Sequence, residues 1–174
     1  MKKIIALLLI ISALLISFSS CDDDKNIYEI IEYRENGIEF SLPNYMRRSV
    51  VEGYDFYFTN LSIVYTAVEL DSEFLESKNL APGISGKEYI DVYVERNGLD
   101  LERMSYKYED DRILHNFRYT FGDETSGMEM FYYVVVVGEP GNLWYIEMCC
   151  KYEDSATCLS SFEVWKKYIK TYKE

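Results

Sequence analysis

The chain has one histidine, His115, and so one side chain whose ordinary pKa suits proton transfer near neutrality. It lies in the alternating row Ile113-x-His115-x-Phe117-x-Tyr119-x-Phe121, the pattern of a strand with one aromatic face. In such a row a packed imidazole donating to one internal acceptor is a plainer expectation than a general base. One histidine and no Cys-x-x-Cys pair would leave a metal only carboxylates, and no Asp/Asn/Gly calcium loop is present, so no metal site is expected. Glu109-Asp110-Asp111 reads as a charged hairpin turn. No G-x-S-x-G, P-loop or dinucleotide fingerprint occurs, so no catalytic residue is named and no cofactor is expected.

Two other groups of side chains have chemical potential. Three cysteines, Cys149, Cys150 and Cys158, fall within ten residues near the C-terminus. Strand alternation puts Cys150 in the row of Trp144, Ile146 and Met148, and turns Cys149 to the face of Tyr145 and Glu147. A helical stripe puts Cys158 in line with Phe162 and Trp165. Cys150 and Cys158 are therefore the expected disulfide pair, with Cys149–Cys158 or three unbonded core thiols as the alternatives. Seventeen tyrosines and two tryptophans are many for this length. Small sheets use aromatics for the core and for cross-strand pairing, but aromatics flanking a groove also suit glycans or peptides. Tyr132, Tyr133 and Tyr145 are the candidate ligand contacts.

These residues depend on the elements that carry them. Phe131 to Cys150 forms a hairpin around Glu139-Pro140-Gly141-Asn142, its first arm apolar on both faces and so interior to a sheet. Earlier, Asn36-Gly37 joins Asn26–Glu35 to Ile38–Leu42 in a hairpin ending at Pro43. Leu61 to Leu70 reads as another interior strand. Asp71 to Lys78 suits a helical turn or two. Ser85 and Glu88 form a capping box for a helix over Gly86 to Asn97. A last helix is expected from Ser155, as N-cap, to Tyr172, with Cys158, Phe162, Trp165 and Ile169 on one side. The class is α+β, an antiparallel sheet of five to seven strands covered by two helices. Arg47-Arg48 is more simply paired with the protein's own acids than with a ligand.

Met1-Lys2-Lys3, the apolar Ile4 to Ile16 and Phe18-Ser19-Ser20-Cys21 have the layout of a signal peptide over residues 1–20, too short in its apolar part to span a bilayer of roughly 30 Å. The junction resembles the lipobox of bacterial lipoproteins, which implies an acylated Cys21, carrying palmitate-type chains, as mature N-terminus and bilayer anchor. Asp22-Asp23-Asp24-Lys25 resembles the acidic tract of surface-directed Bacteroidetes lipoproteins, which implies the outer membrane, facing the periplasm or the cell surface. Residues 21–26 are then a tether and 27–174 one α+β domain. The formal charge is -12, or -14 once Lys2 and Lys3 are removed, which makes nucleic acid a poor partner.

The strand Ile38-Glu39-Phe40-Ser41-Leu42-Pro43, the capped helix and Asn142-Leu143-Trp144-Tyr145-Ile146 leading into a closing helix resemble the PsbP-like α+β fold, in particular DcrB-like lipoproteins. That family has no common catalytic residues, and its better-known members are accessory or scaffold proteins. With the lipobox, this implies a membrane-anchored, non-enzymatic cell-envelope lipoprotein, a binding or accessory module for a protein or glycan partner. A small hydrolase or isomerase assembled around His115, and a purely structural envelope protein, stay open as alternatives.

Overall fold

The computed structural model describes residues 28–99, 107–109, 114–123 and 128–173. In chain order its elements are β1 (Ile30–Glu35), β2 (Ile38–Pro43), β3 (Arg47–Ser49), β4 (Phe56–Thr59), β5 (Ile63–Glu69), α1 (Ser72–Ser77), α2 (Gly86–Arg96), β6 (Lys107–Glu109), β7 (Leu114–Asp123), β8 (Met128–Glu139), β9 (Asn142–Lys151), a 3₁₀ turn (Tyr152–Asp154), α3 (Ser155–Lys166) and β10 (Lys170–Thr171). Residues 1–27, on which the expected signal peptide, Cys21 and the expected acidic tether fall, lie outside the described residues, as do Asp110 and Asp111.

The main sheet has seven strands in the order β3-β4-β5-β9-β8-β7-β6, and every neighbouring pair in it is antiparallel. The long β8–β9 hairpin lies in the middle, with β5 and β7 on its two sides, which is why β8 could be apolar on both faces. Side-chain alternation then divides the core in two. Trp144, Ile146, Met148 and Cys150 join Tyr133, Val135 and Val137 on the face covered by α3. Leu143 and Tyr145 join Val134, Val136 and Phe117 on the face covered by α1 and α2. Trp144, Tyr65, Phe58 and Phe162 are wholly enclosed, and each such side chain contributes roughly 1.5–3 kcal/mol by leaving water.

The expected Asn36-Gly37 hairpin forms a second sheet of its own, in the order β1-β2-β10, and its third strand had no counterpart among the sequence expectations. The Asn36-Gly37 turn, both residues at positive φ, closes its β1–β2 hairpin. Ile38, Phe40 and Leu42 of β2 then pack into the α3-side core. The third strand corrects the expected C-terminal helix, which stops at Lys166 instead of continuing to Tyr172. Successive i→i+3 bonds from Lys167, Tyr168 and Ile169 tighten its end. Lys170 and Thr171 then pair with Glu39 and Ile38. Ile169 remains in the core, so its helical spacing was fortuitous. At the other end of α3, Ser155 is not the N-cap. Asp154 holds that position without a side-chain cap, because the preceding 3₁₀ turn leads directly into the helix.

The remaining caps follow local sequence. Asp71 accepts from the Phe74 amide at the start of α1. Ser85 and Glu88 complete the capping box of α2 in both directions. These caps set where α1 and α2 begin over the Tyr145 face of the sheet.

Candidate ligand-binding cleft

A cleft of ≈ 580 Å³ opens between α2 and the sheet. Its floor is Val68 of β5 with Tyr145 and Glu147 of β9. One wall is the α2 row Tyr89, Val92, Tyr93 and Arg96; the other is the Glu52-Gly53-Tyr54 loop; Phe74, Lys78 and Leu80 close one end. Each component has a local cause. The two-residue period of β9 sends Tyr145 and Glu147 to the same face. The i, i+3, i+4, i+7 spacing of 89, 92, 93 and 96 aims those side chains along one side of α2.

The tyrosines make contact with one another around Glu147. Tyr145 lies 5.4 Å from Tyr93 and 6.0 Å from Tyr89, ring centre to ring centre. Tyr119 stacks on Tyr132 at 4.7 Å with nearly parallel planes. The Tyr145 hydroxyl donates to Glu147 Oε2 at 2.6 Å, and the Tyr119 hydroxyl approaches the same oxygen at 3.5 Å. Tyr93 and Tyr119 share a hydrogen bond of 3.1 Å between their hydroxyls. Tyr89, Tyr119 and Tyr145 are buried, whereas Tyr54 is 42% exposed at the mouth.

Burial sets the electrostatics. Desolvation pushes the Glu147 carboxyl above its ordinary range, and the hydrogen bonds from Tyr145 and Tyr119 offset only part of that. Desolvation, then the Glu147 charge, pushes up Tyr119 and Tyr145 as well. Tyr132 is pushed up to about 12 by desolvation, followed by the charges of Cys149 and Glu147. The cleft thus offers one poorly solvated carboxylate, neutral phenols that can donate and accept, and aromatic side chains at the exposed Tyr54 and the half-buried Tyr93. These groups can hydrogen-bond to hydroxyls, accept from an amine and stack on the C–H face of a ring.

The candidate ligand contacts inferred from sequence separate. Tyr145 forms the cleft floor, and Tyr132 stands behind it against Tyr119. Tyr133 points the other way, fully buried on the α3 face, where it accepts a hydrogen bond from Asn116 Nδ2 at 3.1 Å. Tyr133 is therefore a core residue, because adjacent strand positions face opposite sides.

His115 is also placed away from the cleft. Its imidazole packs under the start of α2, where a Cβ on Gly86 would lie 3.0 Å from His115 Cδ2. Desolvation and then the Lys87 charge lower its pKa, against a raising effect of Asp91. His115 is neutral at pH 7. Its charged neighbours Lys87 and Asp91 pair with each other at 3.5 Å. Among the described residues no three His, Cys, Asp or Glu side chains cluster as a metal site.

Cys150 and Cys158 lie in the same buried core, and their thiols are hydrogen-bonded to each other as free cysteines, without an S–S bond. Cys149 is buried on the opposite face, and desolvation pushes its thiol up to about 12. Arg48 forks onto Glu35 at 2.9 and 3.1 Å and covers the Phe56 ring, which is internal pairing.

The residue missed from sequence is Glu147, with Tyr54, Tyr89, Tyr93 and Tyr119 around it. Alternation had already placed Glu147 beside Tyr145. The missing information was that α2 covers this face, which turns an ordinary strand glutamate into a half-buried one.

The fold is the PsbP-like α+β fold. No protein-family model matches the chain, and no curated protein matches it in sequence. Among solved structures it is similar to PsbP (CyanoP) of the cyanobacterium Synechocystis, with 18% identity and a TM-score of 0.54, covering 90% of this chain and 99% of that one. A crystal structure from Bacteroides thetaiotaomicron aligns with 13% identity and a TM-score of 0.52, over 82% of this chain and 48% of that one. LpqN of Mycobacterium tuberculosis, described as involved in cell envelope biogenesis, aligns more loosely, at 11% identity and a TM-score of 0.46, over 85% of this chain and 93% of that one. What CyanoP and the Bacteroides structure share with this chain is the fold.

Proposed function

We propose that the protein is a non-enzymatic binding module of the cell envelope whose ligand, a glycan, occupies the tyrosine cleft. The observation that carries this reading is the cleft itself, where aromatic faces at Tyr54 and Tyr93 border a floor of hydrogen-bonding groups at Tyr145 and Glu147. Sugar rings present apolar C–H faces edged by hydroxyls, and this lining complements both features.

The N-terminal sequence supports the location. Cleavage before Cys21 and acylation of that cysteine anchor a domain spanning residues 27–174 to the outer membrane through the Asp22-Asp23-Asp24-Lys25 tether. The anchored domain faces the periplasm or the cell surface. A C21A variant is then released from membranes and loses incorporation of labelled palmitate.

Titration calorimetry of the soluble domain against oligosaccharides tests the binding reading. Expected is saturable binding that falls at least tenfold in Y54A and Y93A, with the sugar recovered intact. Cleaved product would instead mark an enzyme. Binding of a protein partner unaffected by both tyrosine variants would move the function to another surface. No binding of any oligosaccharide overturns the glycan reading.

A further inference from the structure

Among the described residues Glu147 has no cationic partner: no Lys, Arg or His forms an ion pair with it, and its hydrogen bonds come from tyrosine hydroxyls. A half-buried carboxylate left without a counter-charge is costly. This one also lines an open cleft, so its counter-charge can arrive from outside.

The groups facing it come from every surrounding element. They are Tyr145 and Cys149 of β9, Tyr119 of β7, Tyr132 of β8, Tyr89 and Tyr93 of α2, and Tyr54 of the loop, each of whose acidity the Glu147 charge weakens. None is a cation, and the phenols are neutral at physiological pH. Tyrosine faces attract a cation and do nothing for a second anion.

The two bases of the cleft are directed to its far end. Lys78 Nζ lies 5.6 Å from the centre of the Phe74 ring, and Arg96 donates to the Lys78 carbonyl at 2.6 Å. The cleft is therefore polarised, acidic at Glu147 and basic beside α1. A ligand positively charged at both ends is repelled at Lys78 and Arg96, whereas one charged amine with a neutral or acidic remainder fits in a single orientation.

We infer that the cleft selects glycans bearing a free amine, an amino sugar whose ammonium pairs with Glu147 between the Tyr93 and Tyr54 rings. The inference rests on the glycan reading of the cleft and specifies its ligand. Binding requires ionised Glu147, so affinity falls as pH drops through its raised pKa.

The test compares three probes of equal length by calorimetry at pH 7.5: glucose oligomers ending in a single glucosamine, the same oligomers with that amine acetylated, and all-glucose oligomers. Expected is at least tenfold tighter binding of the free-amine oligomer, lost in E147Q and weakened at pH 5, with the neutral probe indifferent to E147Q. Equal affinity for free-amine and acetylated oligomers, or full affinity in E147Q, overturns the amine inference and leaves the glycan cleft standing. Failure of all three probes, with E147Q folded by circular dichroism, overturns both.

Discussion

The Tyr145 hydroxyl donates to Glu147 Oε2 at 2.6 Å, across the two-residue step that puts both side chains on one face of β9. The carboxylate therefore obtains its strongest hydrogen bond from its own strand. In Y145F that donor is lost while the ring remains. The remaining approach from Tyr119 is long, at 3.5 Å, so the ionised carboxylate is left poorly satisfied at a cost of about 1–3 kcal/mol. Urea unfolding at pH 8 should show the loss, and a smaller one at pH 5, where more of Glu147 is protonated. Equal losses at both pH values would mean that the hydroxyl serves packing only.

E147Q should act in the opposite direction. The folded-state pKa of Glu147 is raised, so its ionisation opposes folding. Stability is highest below the ordinary glutamate value and falls as pH rises through the raised one. Glutamine keeps an acceptor for Tyr145 without the charge. The variant should gain in urea midpoint over the parent above the raised pKa, with the gain vanishing toward acid. A variant less stable than the parent at pH 8 would show that the charge is compensated within the fold.

The legibility of the sequence followed the range of its interactions. The Asn36-Gly37 turn, the Ser85–Glu88 box and the two-residue period of β9 are local, and each was readable from a few residues. β10 was not readable, because Lys170 and Thr171 take strand geometry from β2, more than 130 positions away. Glu147 was assigned to the correct face, but its burial depends on α2, an element some fifty residues earlier. The separation of Tyr132 from Tyr133 followed from alternation alone and should have removed Tyr133 from the candidate contacts.

A second polar cluster, on the other face of the sheet, is structural. Arg118 NH2 and Lys166 Nζ meet the two oxygens of Glu163 at 2.6 and 3.1 Å, and Lys166 is only 1% exposed. Desolvation raises the Glu163 pKa, but hydrogen bonding and charge from Lys166, followed by Arg118, bring it below the ordinary value. Its contribution is present above the unfolded-state pKa and is lost as pH falls through the folded one. E163Q removes a counter-charge at 3.1 Å from a buried ammonium and should cost about 3 kcal/mol at pH 7, read as a lower urea midpoint. The deficit should shrink in acid. A deficit constant from pH 7 down to acid would contradict the assignment.

Gly138, near the end of β8, has φ +113°, and a Cβ built on it overlaps the Asn142 carbonyl oxygen. The overlap is with backbone, which cannot rotate away. G138A should therefore lose at least about 2 kcal/mol, by combining backbone strain with a steric shift in the central hairpin. Thermal unfolding within a degree of the parent would show that the hairpin adjusts freely.

Cys150 and Cys158 are placed to form a disulfide on oxidation. The end of β9 and the first turn of α3 bring their thiols into hydrogen-bond contact, while Cys149 faces the other side of the sheet. Sequence separation and facing both favour this pair over Cys149–Cys158. Burial pushes both thiols upward, so thiolate is scarce at neutral pH and oxidation should accelerate with increasing pH. With oxidised glutathione as acceptor, the two thiols lose two protons and two electrons, one S–S bond forms, and two glutathione thiols are released. Closing so short a loop contributes roughly 2–3 kcal/mol, and the oxidised protein should melt higher by the corresponding margin. Non-reducing peptide mapping should recover Cys150 linked to Cys158, with Cys149 alkylated only after unfolding. Recovery of Cys149 in the bridge, or of both Cys150 and Cys158 as thiols after prolonged oxidation at pH 8.5, would refute the pairing.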